Sequence, residues 1–183
     1  MLKILLFALL LAGTTAPAVY AASPADDAAT QTFRFISIDG GEIGFSDWPG
    51  QPVLVANTAS LCAFSGQYAD LQDLYDTYRA RGLIVLAVPS DDFRQELATD
   101  AAVKEYCALT FGLDLPMSGI TPVTGSDAHP FYLWLKATTG FQPGWNFNKV
   151  LIGADGTVLG TWGSLESPTG ATITTAVEGA LGL

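Results

Sequence analysis

Two thiols, Cys62 and Cys107, are the residues of this chain best suited to nucleophilic or redox chemistry. Cys62 lies just past the apolar run Val53–Ala56, where a buried strand is expected to give out and a helix to begin. A thiol at a helix N-terminus meets the positive end of the macrodipole and unpaired N–H groups, which favour the nucleophilic thiolate. Free cysteines are also among the residues most often buried as small hydrophobes, so position alone leaves packing and chemistry both open. The single histidine, His129, excludes histidine-cluster metal sites, and no Cys-x-x-Cys pair is present for zinc or for a dithiol motif. His129 is the one imidazole that a cysteine hydrolase could pair with Cys62, since nucleophile and base need not be sequence neighbours. It stands beside Pro130 at an expected helix start, which reads as a structural position.

Charge narrows the partners. Eighteen acidic residues against eight basic ones give a net charge of −10, and no stretch offers the basic footprint that nucleic-acid phosphates require. An acidic surface also disfavours anionic ligands.

The first residues read as a secretory signal over 1–21: Lys3 is the positive region, Ile4 to Leu11 the apolar stretch, and Val19, Tyr20 and Ala21 the small-residue cleavage site. The apolar stretch is shorter than the about 20 residues needed to span a bilayer, so stable membrane insertion is not expected, with an uncleaved anchor as the alternative. Export, to the periplasm, would place both cysteines where a disulfide persists. With 49% apolar residues a core of this size needs no disulfide staple, which leaves the cysteine pair available for redox chemistry.

Residues 22–31 are small and polar and read as a flexible leader, with one domain over 32–183. Alternation through Phe33, Phe35 and Ser37, then a turn at Asp39-Gly40-Gly41 into Glu42–Phe45, predicts an N-terminal β-hairpin. The continuous apolar runs Val53–Ala56 and Leu83–Val88 predict strands covered on both faces. Between them Leu71, Leu74, Tyr75 and Tyr78 fall at helical spacing before Gly82, completing a right-handed βαβ unit. A second helix is expected from Asp100 to Phe111, with Val103, Cys107 and Thr110 on one face, and a third over Pro130–Thr138. A hairpin with an Asp155-Gly156 turn and a closing helix over Ala171–Leu181 complete an α/β domain with a central mixed sheet. Cys62 then lies outside the carboxyl end of a core strand, the edge at which open α/β sheets bind ligands.

Five segments in order, Asn57-Thr-Ala-Ser-Leu-Cys62-Ala-Phe-Ser-Gly-Gln-Tyr68, Leu86-Ala-Val-Pro-Ser90, Glu105-Tyr-Cys107, Ala128-His-Pro130 and Trp145-Asn-Phe147, resemble glutathione peroxidases across roughly residues 32–170. The resemblance implies a thioredoxin-like fold and a peroxidase in which Cys62 attacks the peroxide, assisted by the amides of Gln95 and Asn146 and the indole of Trp145. It implies Cys107 as the resolving cysteine, a hydroperoxide substrate, a thioredoxin-like dithiol protein or glutathione as reductant, and no cofactor or metal. The short segment between Leu135 and Gly144 lacks the loop that supports tetramers in some relatives, which implies a monomer.

The chain departs from the family pattern near the nucleophile. The segment Ser90-Asp-Asp-Phe-Arg-Gln-Glu96 is one residue shorter between Phe93 and Gln95, which is expected to displace that amide. Asp91 and Asp92 would raise the pKa of a nearby thiol if they faced it. Leu61 stands where a basic residue is common, and Ala63 and Ser65-Gly66 replace Gly and Thr-Pro. A weakened peroxidase acting as a redox sensor or binding module is therefore the alternative reading, with a Cys–His hydrolase the third.

Overall fold

The computed structural model describes residues 32–183, so the expected signal over 1–21 and the leader over 22–31 lie outside the described residues. Strand β1 (Arg34–Ile36) pairs antiparallel with β2 (Glu42–Gly44) as the N-terminal hairpin. Its turn uses Gly40 at φ 93° and Gly41 at φ 73°, a left-handed pair that side-chain-bearing residues rarely adopt. The two-residue period is visible in burial, since Phe35 is 1% exposed and its neighbour Ile36 63%.

The main sheet runs β4-β3-β5-β6, from β3 (Val53–Thr58), β4 (Ile84–Pro89), β5 (Lys149–Ile152) and β6 (Val158–Trp162). β3 and β4 are parallel from Val53↔Ile84 to Thr58↔Pro89, whereas β5 is antiparallel to both β3 and β6. Every residue of β3, β4 and β5 is buried, as continuous apolar runs covered on two faces require. The βα crossover is α1 (Gln67–Tyr78), which leads through a short 3₁₀ turn to Gly82 at φ 103°. Then come α2 (Asp100–Phe111), α3 (Pro130–Thr139) and α4 (Ala171–Leu181). Thr99 caps α2 by accepting from the Ala102 N–H at 3.2 Å, and Gly112 ends it at φ 65°.

Strand alternation sorts the core into two layers. Leu54, Ala56, Val85, Ala87 and Leu151 point toward α1, α2 and α4, meeting Tyr68, Leu71, Val103, Ile173 and Val177. Val53, Val55, Leu86, Val88 and Val150 point the other way, onto Phe35, Phe45, Phe131 and Leu135. Cys62 and Cys107 both belong to the first layer. The expected inward face of α2 needs one correction, because Thr110 is exposed and the buried positions are Val103 and Cys107, with Phe111 packed alongside. Thr110 is in phase with Val103, but it stands in the last turn of α2, where that side is left uncovered.

Candidate active site

β3 delivers the nucleophile. After Thr58 the chain winds through a series of turns in which the Cys62 N–H donates to the Ala59 carbonyl at 3.4 Å and the Ser65 N–H to the Cys62 carbonyl at 2.9 Å. The helix itself starts at Gln67, later than the sequence predicts. Macrodipole effects fade within the first turn, so the field expected on Cys62 from a helix N-terminus is replaced by a nearer donor, the Phe64 N–H, at 3.5 Å from Cys62 Sγ. Cys62 is 3% exposed while the preceding Leu61 is 61% exposed.

The loop after β4 is stitched to this turn through backbone. Ser90 N–H donates to Thr58 O at 3.0 Å, and Leu61 N–H to Gln95 O at 2.9 Å. Glu96 Oε1 accepts from Ser60 N–H at 3.0 Å and Leu97 N–H at 2.8 Å. The shortened segment leaves Gln95 in contact with the loop before β5, and among the described residues no hydrogen bond joins its amide to Cys62 Sγ. Arg94 turns at φ 57°, with its N–H on Asp91 O at 2.8 Å, and Gln95 Oε1 accepts from Asn146 Nδ2 at 3.0 Å. A non-glycine residue in this region costs about 1–2 kcal/mol, the local penalty of the short loop. Asp91 and Asp92 hold loop backbone: Asp91 Oδ1 accepts from Glu96 N–H at 3.2 Å, and Asp92 Oδ2 from the N–H groups of Val123 and Thr124, each at 2.7 Å.

The loop before β5 carries Trp145 and Asn146. Phe147, fully buried, adopts φ 58° and donates its N–H to Asn57 O at 2.6 Å. Asn57 at the end of β3 clamps the loop, donating Nδ2 to Trp145 O at 3.0 Å and accepting from Asn148 N–H at 3.1 Å through Oδ1. Ser164 Oγ donates to Asn146 O at 2.6 Å and accepts from Asn148 Nδ2 at 3.0 Å. Asn146 is therefore sealed at 0% exposure, whereas the Trp145 indole is 42% exposed and packs on Phe93 at 5.3 Å between centroids. Beneath this loop Lys149, 1% exposed, donates Nζ to Gln67 Oε1 and to Glu166 O. Burial lowers its pKa to about 8, against the pull of Glu166 and Asp70.

Sequence reasoning did not single out Asn57, Glu96, Asn148, Lys149 or Ser164. Lys149 alone left a trace, a cation at the head of the apolar strand Lys149-Val-Leu-Ile152.

Cys107, 1% exposed, lies on the inward face of α2, and both cysteines are free. Burial pushes the Cys107 thiol up to about 11; the Tyr68 hydroxyl partly offsets this and the Glu96 carboxyl adds to it. His129 serves α3 instead of the site. Its Nε2 bonds Arg34 O at 2.8 Å, its Nδ1 accepts from Phe131 N–H at 3.2 Å, and its ring stacks on Phe35 at 3.9 Å in the opposite core layer. With both ring nitrogens engaged and burial lowering its pKa, it is not the base a cysteine hydrolase would need.

A mixed sheet whose central strand leads into the turn of a buried thiol, with the loop after β4 hydrogen-bonded to that turn and the loop before β5 bonded to Asn57 and Gln95, has the architecture of a thiol oxidoreductase of thioredoxin-like fold. The glutathione peroxidase family model matches residues 30–136. A glutathione peroxidase of Lactococcus lactis subsp. cremoris is 37% identical over 132 residues, 69% of this chain and 84% of that protein. The glutathione peroxidase-like peroxiredoxin gpx1 of Schizosaccharomyces pombe is 36% identical over 136 residues, 71% of this chain and 85% of its own. The crystal structure of apo Trgpx superposes with a TM-score of 0.66 at 31% identity, covering 84% of this chain and 96% of that one. The chain belongs to the glutathione peroxidase family, and it is a peroxidase-type oxidoreductase.

Proposed function

We propose that this protein is an exported, monomeric thiol peroxidase that reduces hydrogen peroxide or organic hydroperoxides through Cys62. The observation that carries the reading is the convergence of the Cys62 turn, Gln95 and Asn146, joined by Leu61 N–H to Gln95 O and by Asn146 Nδ2 to Gln95 Oε1. The Cys62 thiolate attacks one peroxide oxygen; the O–O bond breaks, a sulfenic acid forms, and the departing alkoxide or hydroxide takes a proton. Amide hydrogens of Gln95 and Asn146, with the Trp145 indole, stabilise the sulfur and the leaving oxygen. Leu61 and Trp145, 61% and 42% exposed, give the entrance apolar surface that suits organic hydroperoxides.

Cys107 then condenses with the sulfenic acid, which requires Cα atoms within about 7 Å and makes α2 the element that yields. A thioredoxin-like dithiol protein reopens the disulfide. Glutathione is the weaker candidate, because it is anionic and the chain carries −10. Export to the periplasm is supported by the signal pattern of Lys3, Ile4–Leu11 and Val19–Ala21. The test is peroxide consumption by the reduced protein supplied with a dithiol, compared with Cys62→Ser; turnover in the wild type alone supports the reading, and oxidation without turnover favours the redox-sensor alternative.

A further inference from the structure

Lys149 is a cation at a position where packing alone calls for an apolar side chain. It heads β5, is 1% exposed, and by the two-residue period of that strand points with Leu151 into the core layer that holds both cysteines. Its Nζ meets two neutral acceptors, Gln67 Oε1 and Glu166 O, and among the described residues no carboxylate lies within ion-pair distance of it. Asp70, whose Oδ2 accepts from Ser167 Oγ at 3.0 Å, and the Glu166 carboxylate act on it only at longer range. A buried charge held by neutral oxygens costs stability relative to an apolar side chain of similar length, so this lysine needs a reason other than packing. Gln67 supplies one. An ammonium only donates, which turns the Gln67 amide oxygen toward Lys149 and leaves its Nε2 to donate to Ser164 O at 2.7 Å.

We propose that Lys149 is a positioning residue of the peroxidase site, fixing the Gln67 amide and through it the placement of the loop that carries Trp145 and Asn146 against the Cys62 turn. This rests on the peroxidase reading above. Gln67 opens α1 directly after the turn; its N–H donates to Phe64 O at 2.9 Å, and the Phe64 N–H is the donor at 3.5 Å from Cys62 Sγ. On the other side Ser164 Oγ donates to Asn146 O at 2.6 Å and accepts from Asn148 Nδ2 at 3.0 Å, and that Nδ2 also donates to Trp145 O at 2.9 Å. Asn146 Nδ2 in turn reaches Gln95 Oε1 at 3.0 Å. Hydrogen bonds therefore link the start of α1 through Gln67 and Ser164 to both site amides, and Lys149 holds the one joint whose amide could otherwise face either way. Its second acceptor, Glu166 O, lies on the same loop after β6 as Ser164, so one ammonium fixes that loop at two points. Catalytic donors are sensitive to such placement, a shift of about 1 Å costing about a hundredfold in rate.

Lys149→Met separates positioning from packing, because it keeps an unbranched side chain in the core while removing the donor. Three quantities are compared in the reduced proteins at neutral pH. They are the rate of reaction with a single equivalent of hydrogen peroxide, stability in urea, and the NMR signals of the Gln67 and Asn146 side-chain amides, the last needing no peroxide. The expected result is a peroxide step slowed at least tenfold in a protein as stable as the wild type or more so, with the Gln67 Nε2 hydrogens exchanging faster with water and the Asn146 amide signals moved. Gln67→Met should slow the step by a similar factor, and the double variant should be no slower than the slower single one, since both substitutions break the same link. A wild-type rate in either single variant, additive losses in the double variant, or a Lys149→Met protein that loses rate and stability together would overturn the proposal. A wild-type protein that leaves peroxide untouched, while Lys149→Met still frees the Gln67 amide and moves the Asn146 signals in an intact fold, would overturn the peroxidase reading and leave the positioning role standing.

Discussion

Asn146 gives one hydrogen of its side-chain amide to Gln95, Nδ2 to Oε1 at 3.0 Å, across the gap between the loop before β5 and the loop after β4. The bond orients both amides at once. The second Asn146 hydrogen and both Gln95 N–H donors have no hydrogen-bond partner among the described residues. Gln95→Ala is expected to slow the peroxide step on Cys62 by about tenfold to a hundredfold, the scale for loss of one preorganised donor. Combining it with Asn146→Ala should cost less than the sum of the two, because each substitution already breaks the shared bond. Stopped-flow rates of the two single variants and the double variant decide this, and additive losses would show that the amides act separately.

Arg94 turns at φ 57° to bring Gln95 into place. Glycine adopts that conformation without steric cost, so Arg94→Gly should stabilise the fold by about 1 kcal/mol, provided that relief of strain exceeds the entropy glycine adds to the unfolded chain. Urea unfolding monitored by circular dichroism measures the shift. Peroxide reduction should be retained, since the turn is kept.

Lys149 is buried with its ammonium on Gln67 and Glu166, beneath the loop that carries Asn146. Its folded pKa of about 8 lies below the ordinary lysine value of 10.5. Between those values the unfolded chain binds more protons than the folded one, so this group makes stability rise with pH across that window, and below it the full cost of holding the buried charge is present and constant. Compared with Lys149→Met, the wild type should gain in relative stability from about pH 8 to about pH 10.5. A difference between the two proteins that stays flat with pH would contradict this.

Cys107 has the opposite sign. With a folded pKa of about 11, above the about 8.5 of a free thiol, its contribution is fully present below the lower value and fades as pH rises toward the upper one. Cys107→Ala should remove that alkaline loss. Iodoacetamide labelling of Cys107 in the reduced native protein, followed by mass spectrometry, should remain slow at neutral pH and accelerate on unfolding.

The order of elements was legible because each rests on a local signal: the two-residue period through Phe35, the continuous runs of β3 and β4, the helical spacing of Leu71 and Leu74, and the glycines at 82 and 112. The segments that the family resemblance assigns to the site come together in part, since the structure joins Gln95 to Asn146 and the Cys62 turn to Gln95 through Leu61 N–H. What could not be read were contacts made by exceptions. Arg94 in a left-handed conformation carries no sequence mark, so the route of the shortened loop could not be read. The successive turns over 60–66 have spacings close to those of a helix start, and so Cys62 read as helix-capped. Glu96 and Lys149 are charged residues, exposed by default, and their burial follows from partners distant in sequence.

The most direct test of the account is the rate at which reduced wild-type protein consumes a hydroperoxide, set beside Cys62→Ser under the same conditions. A rapid stoichiometric reaction in the wild type that is lost in the variant, with a Cys62–Cys107 disulfide as the product, is the predicted result. Equal consumption by both proteins, or none by either, would contradict it.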